Sequence, residues 1–445
     1  MNIDTPKPVL RGTDNEGKGS AKPRPLGGIY VHVPFCLKKC PYCNFYSITD
    51  LSLRNAYLSA LEKEIALTGP VPFRFDTLYM GGGTPSVLDT GQVARIIELF
   101  LNNFSVKQRC EITLEVNPGT VSFQDFQDFR RAGVNRINIG VQSFQDKNLK
   151  FLGRIHSAAE AEKALQNARA AGFDNIGFDL MYGLPGQTVD GWLKDLQQAV
   201  SHGPRHLSCY MLSYENGTLL DRDRQRGRFR PLPDQAVGKL FEITMAFLQD
   251  NGILQYEISN YADSPDTRSR HNRKYWHFDP YLGFGPGAHS FIDPQRFWNH
   301  RDIHTYISLL NQDRRPMAGK ETLSRDQQMI ETIYLGLRTT DGIDLTGFED
   351  RFRIGFAEMF AELIEDFTRG RFLTVLQGRC RLTRKGMLML DSIAGMFVEK
   401  IPKEEGIKKL KKTSSRQGRD QHSQVKSGMA DRRGHVGPVI GKDRV

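Results

Sequence analysis

Three cysteines within eight residues, Cys36, Cys40 and Cys43, constrain this chain more than any other stretch. Their spacing is C-x3-C-x2-C, followed by Asn44 and Phe45 with no fourth cysteine. Three thiolates can hold three irons of a [4Fe–4S] cluster and leave the fourth iron open to an outside ligand. A structural zinc site asks for a fourth protein ligand, and no cysteine or histidine lies close downstream. The other three cysteines, Cys110, Cys209 and Cys380, are scattered. Unpaired thiols beside an exposed cluster belong in a reducing compartment, so a cytoplasmic location is expected.

Around the cysteines runs a βα rhythm. Apolar β-type segments at 28–33, 75–80, 111–116, 135–141, 175–181 and 206–211 alternate with amphipathic helical segments. Ser122 with Asp125, and Ser157 with Glu160, have the spacing of capping boxes. Strands alternating with helices predict parallel βαβ units. Six units in about 185 residues predict an open (β/α)6 partial TIM barrel rather than the eight-unit closed form. The expected organisation is a flexible tail at 1–27, the barrel with its cysteine loop at 28–252, and an aromatic, His-rich, irregular region at 253–320. A smaller, mostly helical, winged-helix-like domain at 321–400 and a disordered basic tail at 401–445 complete it.

The formal charge of +10 suggests nucleic acid until it is located. Residues 403–445 carry 12 Lys/Arg against 5 Asp/Glu, and residues 1–26 carry 5 against 3, so the rest is close to neutral. A solvated tail is the expected reading, with weak contact to an anionic membrane surface as the lesser one and no specific nucleic acid. No stretch of 18 apolar residues predicts a membrane span, and the N-terminus lacks the apolar core of a signal peptide. A homodimer is compatible with these features.

In barrels of this kind function collects at the C-terminal ends of the strands, and the unusual residues fall there. Gly81, Gly82, Gly83 and Thr84 follow the second segment; such a run lets backbone approach a zwitterion closely. Glu115 closes the third, Gln142 the fourth, and Asp179 lies near the end of the fifth, with Arg154 beyond the fourth. A carboxylate at such a place can bind ribose hydroxyls, and an arginine can pair with a carboxylate. Any one of them alone is an ordinary loop polar residue; four converging on one mouth favour binding. Further on, HNRKYW at 271–276 sets a histidine among aromatics. By spacing alone His271 is an ordinary hydrogen-bonded surface histidine; ligation of haem iron is the sharper alternative.

Taken together these stretches resemble the radical S-adenosylmethionine superfamily, and within it the group of oxygen-independent coproporphyrinogen oxidase and the HemW-type haem chaperones. The resemblance covers residues 28–398. It rests on residues 30–45, YMGGGTP at 79–85, EVNP at 115–118, GVQSF at 140–144, DLMYGLP at 179–185, YEISNYA at 256–262 and GFGPGAH at 283–289. It implies a [4Fe–4S] cluster on Cys36, Cys40 and Cys43. It implies S-adenosylmethionine contacts by Tyr30, Tyr42, Gly82, Gly83, Thr84, Glu115, Gln142, Arg154 and Asp179. Two departures choose within the group. The oxidases carry a fourth cysteine two positions past the third, where this chain has Phe45, and a longer N-terminal extension than the 27 residues here. HNRKYW, by contrast, resembles the chaperones' haem motif, which makes His271 the expected haem ligand. The expected function is therefore binding of haem and its delivery to apo-haemoproteins. Oxidative decarboxylation of coproporphyrinogen III to protoporphyrinogen IX is the alternative, and a nucleic-acid-modifying radical enzyme a remote third.

Overall fold

The computed structural model describes residues 26–401; the expectations for the two tails fall almost wholly outside them. Six strands, β1 (Leu26–Val33), β2 (Arg74–Gly82), β3 (Val106–Val116), β4 (Arg136–Gln142), β5 (Ile176–Tyr182) and β6 (His206–Met211), lie side by side in chain order, all parallel. Helices run between successive strands, and strands such as β4 are buried along most of their length, as a sheet covered by helices requires. The capping boxes are formed: the Ser122 amide donates to Asp125 at 2.7 Å and the Ser157 amide to Glu160 at 2.7 Å. The sheet stays open, as the count of βα units predicts.

The stretch 253–320 is more ordered than its irregular sequence suggests. β7 (Leu254–Glu257) and β8 (Asn260–Ala262) attach antiparallel beyond β6. β9 (Tyr281–Phe284) pairs parallel with the free side of β1, and β10 (His289–Ile292), β11 (Gln295–Asn299) and β12 (Met317–Thr322) continue antiparallel from it. The result is one twelve-stranded sheet with β1 near its centre. These strands have three to six residues and sit among Gly and Pro turns, too short for a period-2 pattern to stand out. Further on, helices surround a small sheet of β13 (Ile343–Asp344), β14 (Leu373–Leu376) and β15 (Arg379–Leu382). No helix among the described residues is long and apolar enough to cross a membrane.

A buried carboxylate fixes the added strands to the barrel. Glu64, on the helix Arg54–Thr68, accepts from Asn299 Nδ2 at 2.5 Å, from the Gly285 amide at 2.9 Å and from the Tyr306 hydroxyl at 2.6 Å. Burial pushes its carboxyl up to about 7, although these three donors pull the other way. The folded chain therefore holds a proton on Glu64 at pH values where the unfolded chain, with an ordinary carboxyl near ~4.3, has released it. Stability conferred by this group is complete below the unfolded value and is lost as pH rises towards 7. Glu64→Gln should make the fall in stability across that window shallower, by up to about 1.4 kcal/mol per pH unit. Urea unfolding at several pH values measures this; curves parallel to those of the parent chain would contradict it.

Candidate cofactor site

The cysteine loop is pinned at its base. The Cys36 amide donates to Ile48 O at 2.9 Å and the Ile48 amide to Pro34 O at 2.8 Å, so the loop leaves the end of β1 and returns to it. The glycine turn after β2 docks directly against that base: the Gly83 amide donates to Val33 O at 2.8 Å and the Thr84 amide to Phe35 O at 2.7 Å. A Cβ on Gly83 would lie 2.7 Å from Phe35 O and 2.8 Å from Val33 O, both backbone, so no side chain fits there. Gly82 has a positive φ of 105° and lies against the His32 ring. Backbone proximity explains Gly83, and the positive φ together with the His32 ring explains Gly82.

Donors are directed at the sulfurs. Thr84 Oγ1 donates to Cys36 Sγ at 3.4 Å and Arg154 Nη1 approaches Cys40 Sγ at 3.7 Å. Burial pushes the Cys43 thiol up to about 11, with Cys40 and Cys36 adding to it; iron binding takes the deprotonated thiolate instead. Among the described residues no three His, Cys, Asp or Glu side chains are grouped to hold a single metal ion. A cluster with one iron for each thiolate uses a wider triangle.

Beside the loop, polar side chains fill the barrel mouth. Glu115 accepts from the Tyr79 hydroxyl at 2.7 Å; burial pushes its carboxyl up to about 7, Asp179 adding to the shift while that hydroxyl opposes it. Asp179, also raised by burial, accepts from Asn138 Nδ2 at 3.0 Å and 3.1 Å. Gln142 ends β4 at a positive φ of 69°, a conformation a non-glycine residue adopts at a cost. Arg154 bridges the mouth: it donates to Gly140 O at 2.7 Å and to Asn117 Oδ1, and reaches the Tyr42 hydroxyl at 3.5 Å. Tyr30 bonds His32 Nδ1 at 3.0 Å and stacks on Tyr79. The expected residues thus gather at one mouth.

Two residues of this site have no place in the sequence expectations, Arg136 and Asn138. The signal is present nonetheless: polar residues at 136, 138 and 142 recur at even spacing in an otherwise apolar strand, marking its inward face. Buried atoms with no hydrogen-bond partner cluster here: Gln142 Oε1, Asn138 Oδ1, Arg154 Nε, and Arg136 Nε and Nη1. Buried polar atoms are normally satisfied, so a concentration of unsatisfied ones marks room for a polar ligand.

His271 lies beneath this mouth, stacked on Tyr30 and set against Gly28 and Thr77 in the first halves of β1 and β2. It is not the surface histidine its spacing suggests, being 1% exposed, but it is hydrogen-bonded at both ring nitrogens: Nδ1 with Thr77 Oγ1 at 2.8 Å, Nε2 with the Tyr275 hydroxyl at 2.9 Å. Its ring stacks on Tyr79 at 5.1 Å, and burial pushes its pKa down to about 3, Lys274 and Arg136 adding to the shift. The imidazole is therefore neutral, the state an iron ligand needs, but it can bind iron only after giving up a hydrogen bond.

The model of the Radical SAM superfamily matches residues 30–199 and that of the HemN C-terminal domain residues 323–389. The chain is 33% identical over 378 residues to the heme chaperone HemW of Bacillus subtilis (strain 168), covering 83% of this chain and 98% of that one. The HemW of Mycobacterium tuberculosis (strain ATCC 25618 / H37Rv) is 34% identical, with 82% and 93% covered. The chain belongs to the HemW family. Among solved structures, Escherichia coli coproporphyrinogen III oxidase (HemN), a radical SAM enzyme, superposes with a TM-score of 0.73 at 26% identity, covering 84% of this chain and 90% of that chain. For a HemW-family chain of this superfamily, a [4Fe–4S] cluster and S-adenosylmethionine are the implied cofactors. The donors aimed at two cysteine sulfurs and the unsatisfied atoms at the mouth fit both groups.

Because the glycine turn docks through backbone hydrogen bonds that leave no room for a Cβ at residue 83, Gly83→Ala should loosen the cysteine loop. We expect a melting temperature several degrees lower, for a cost of about 2 kcal/mol, together with reduced iron content after anaerobic purification. A variant that melts with the parent chain and carries full iron would refute the docking account.

Proposed function

We propose that this chain binds haem and passes it to apo-haemoproteins. The observation that carries the reading is near-end-to-end similarity to proteins named as haem chaperones, in a chain with Phe45 two positions past Cys43. In this reading Cys36, Cys40 and Cys43 hold the [4Fe–4S] cluster. Tyr30, Tyr42, Gly82, Gly83, Thr84, Glu115, Gln142, Arg154 and Asp179 bind S-adenosylmethionine. Coordination of the open iron is the chemistry the cluster supplies. The residues around it orient the bound molecule, with Glu115 and Asp179 as the anionic side of the mouth and Arg154 as the cationic one.

His271 is the proposed haem ligand of the HNRKYW stretch, with the Tyr275 hydroxyl releasing Nε2 when iron binds. His271→Ala should lose saturable haem binding, followed by absorbance, and keep the cluster absorbance of the parent chain. An unchanged haem titration would remove His271 from the site. We place the protein in the cytoplasm, where the six cysteines, all free among the described residues, stay reduced. Weak contact of the basic tail with a membrane surface, and a homodimer, complete this reading.

The structural likeness to coproporphyrinogen III oxidase favours one second reading, decarboxylation of coproporphyrinogen III. Anaerobic incubation of the reconstituted protein with reductant, S-adenosylmethionine and coproporphyrinogen III should yield no protoporphyrinogen IX above background. Robust formation of that product would replace the chaperone reading with the enzymatic one.

A further inference from the structure

Inside the barrel, strand register sets four residues in one row: Glu115 on β3, Asn138 on β4, Gly177 on β5 and His206 on β6. Asn138 and His206 are buried. Gly177 stands between them without a side chain. A Cβ there would lie 3.0 Å from Asn138 Oδ1 and 3.1 Å from His206 Nδ1, so both atoms converge on the space that the glycine leaves. Neither atom has a hydrogen-bond partner among the described residues. Buried polar atoms are normally satisfied, directly or through a bridging water, and these two are placed to satisfy each other.

The polarity of this link follows from its two ends. Asn138 Nδ2 donates to both Asp179 oxygens, at 3.0 Å and 3.1 Å. A carboxylate only accepts, so the Asn138 oxygen is the end turned towards His206. On the far side, His206 Nε2 and the Tyr256 hydroxyl are 2.6 Å apart. The Ser269 amide donates to that hydroxyl at 3.3 Å, and the hydroxyl's own proton goes to Nε2. Burial holds the imidazole well below its ordinary value, Arg136 adding to the shift, so the ring is neutral. A neutral imidazole that accepts at Nε2 carries its proton at Nδ1, where Asn138 Oδ1 needs a donor. The opposite tautomer would set two lone pairs against each other across Gly177 and leave the hydroxyl proton unspent.

We propose that His206 is a positioning residue for the S-adenosylmethionine site: through Asn138 it fixes the Asp179 carboxylate in the orientation that binds the ribose. The inference rests on the assignment of Asp179 to S-adenosylmethionine and names what holds that carboxylate in place. His206 acts on the bound molecule only through Asn138 and Asp179. Beyond Tyr256 the chain of hydrogen bonds continues to Ser269, whose Oγ accepts from the Asn272 amide at 3.3 Å and caps the helix Arg270–Trp276. The relay thus runs from the cofactor mouth to the helix that carries His271.

The test is equilibrium dialysis of S-adenosylmethionine against the anaerobically reconstituted full chain, with cluster absorbance as the control for folding. His206→Asn places an amide nitrogen near the position of Nδ1 and keeps the donor to Asn138; it should bind as the parent chain does. His206→Gln places its amide near the position of Nε2, keeps a partner for Tyr256 and removes the Nδ1 donor. It should bind about tenfold more weakly, the loss of one buried hydrogen bond. A space-filling role predicts the reverse order, because glutamine is nearer to histidine in size. Asn138→Leu should bind at least as weakly as His206→Gln, and adding His206→Gln to it should cost nothing more, since the link is already cut. That pair carries the test if the asparagine variant loses its cluster. Parent affinity in His206→Gln, equal losses in His206→Asn and His206→Gln, or additive losses in the double variant would overturn the role of His206. Parent affinity in Asp179→Asn would overturn the assignment of Asp179 itself.

Discussion

Two backbone hydrogen bonds, from the Gly83 and Thr84 amides to the carbonyls of Val33 and Phe35, hold the cofactor end of this molecule together. They join the turn after β2 to the base of the cysteine loop after β1, so the two segments expected to meet a single ligand move as one. The bonds need an approach so close that a methyl group at residue 83 would collide with two carbonyls. The Thr84 hydroxyl then reaches Cys36, and the same backbone placement that fixes the turn also directs a donor at sulfur.

The barrel was legible because its signals are repetitive and local. Six apolar segments, two capping boxes and polar residues at strand ends all point to one topology, and consistency across levels of this kind makes a sequence readable. The mouth residues were legible for the same reason, since a carboxylate or arginine at a strand terminus breaks the apolar pattern. Arg136 and Asn138 were missed because they lie within a strand, where the eye follows Ile137 and Ile139 on the covered face. The strands between 254 and 322 were missed for a physical reason too. Their pairing is decided by long-range contacts, among them the reach of Glu64 to Gly285 and Asn299, across more than 200 residues of chain. No local window contains that information.

His271 marks the limit of motif reasoning. Its aromatic neighbours are as the sequence suggests, but a list of neighbours does not tell whether a nitrogen is available. The structure shows both nitrogens in use. Residue type and company could be read from the chain; occupancy of a lone pair required coordinates.

Tyr275 faces two ways, its ring in the wall of a cavity between the cysteine loop and the added strands and its hydroxyl on the buried His271. Filling the cavity and altering His271 are therefore thermodynamically linked perturbations. Whatever free energy an occupant takes from that hydrogen bond, or returns to it, a change at His271 passes back to the occupant in equal measure. Affinity measured at one and protonation or substitution at the other are two readings of a single coupling, carried by one phenol.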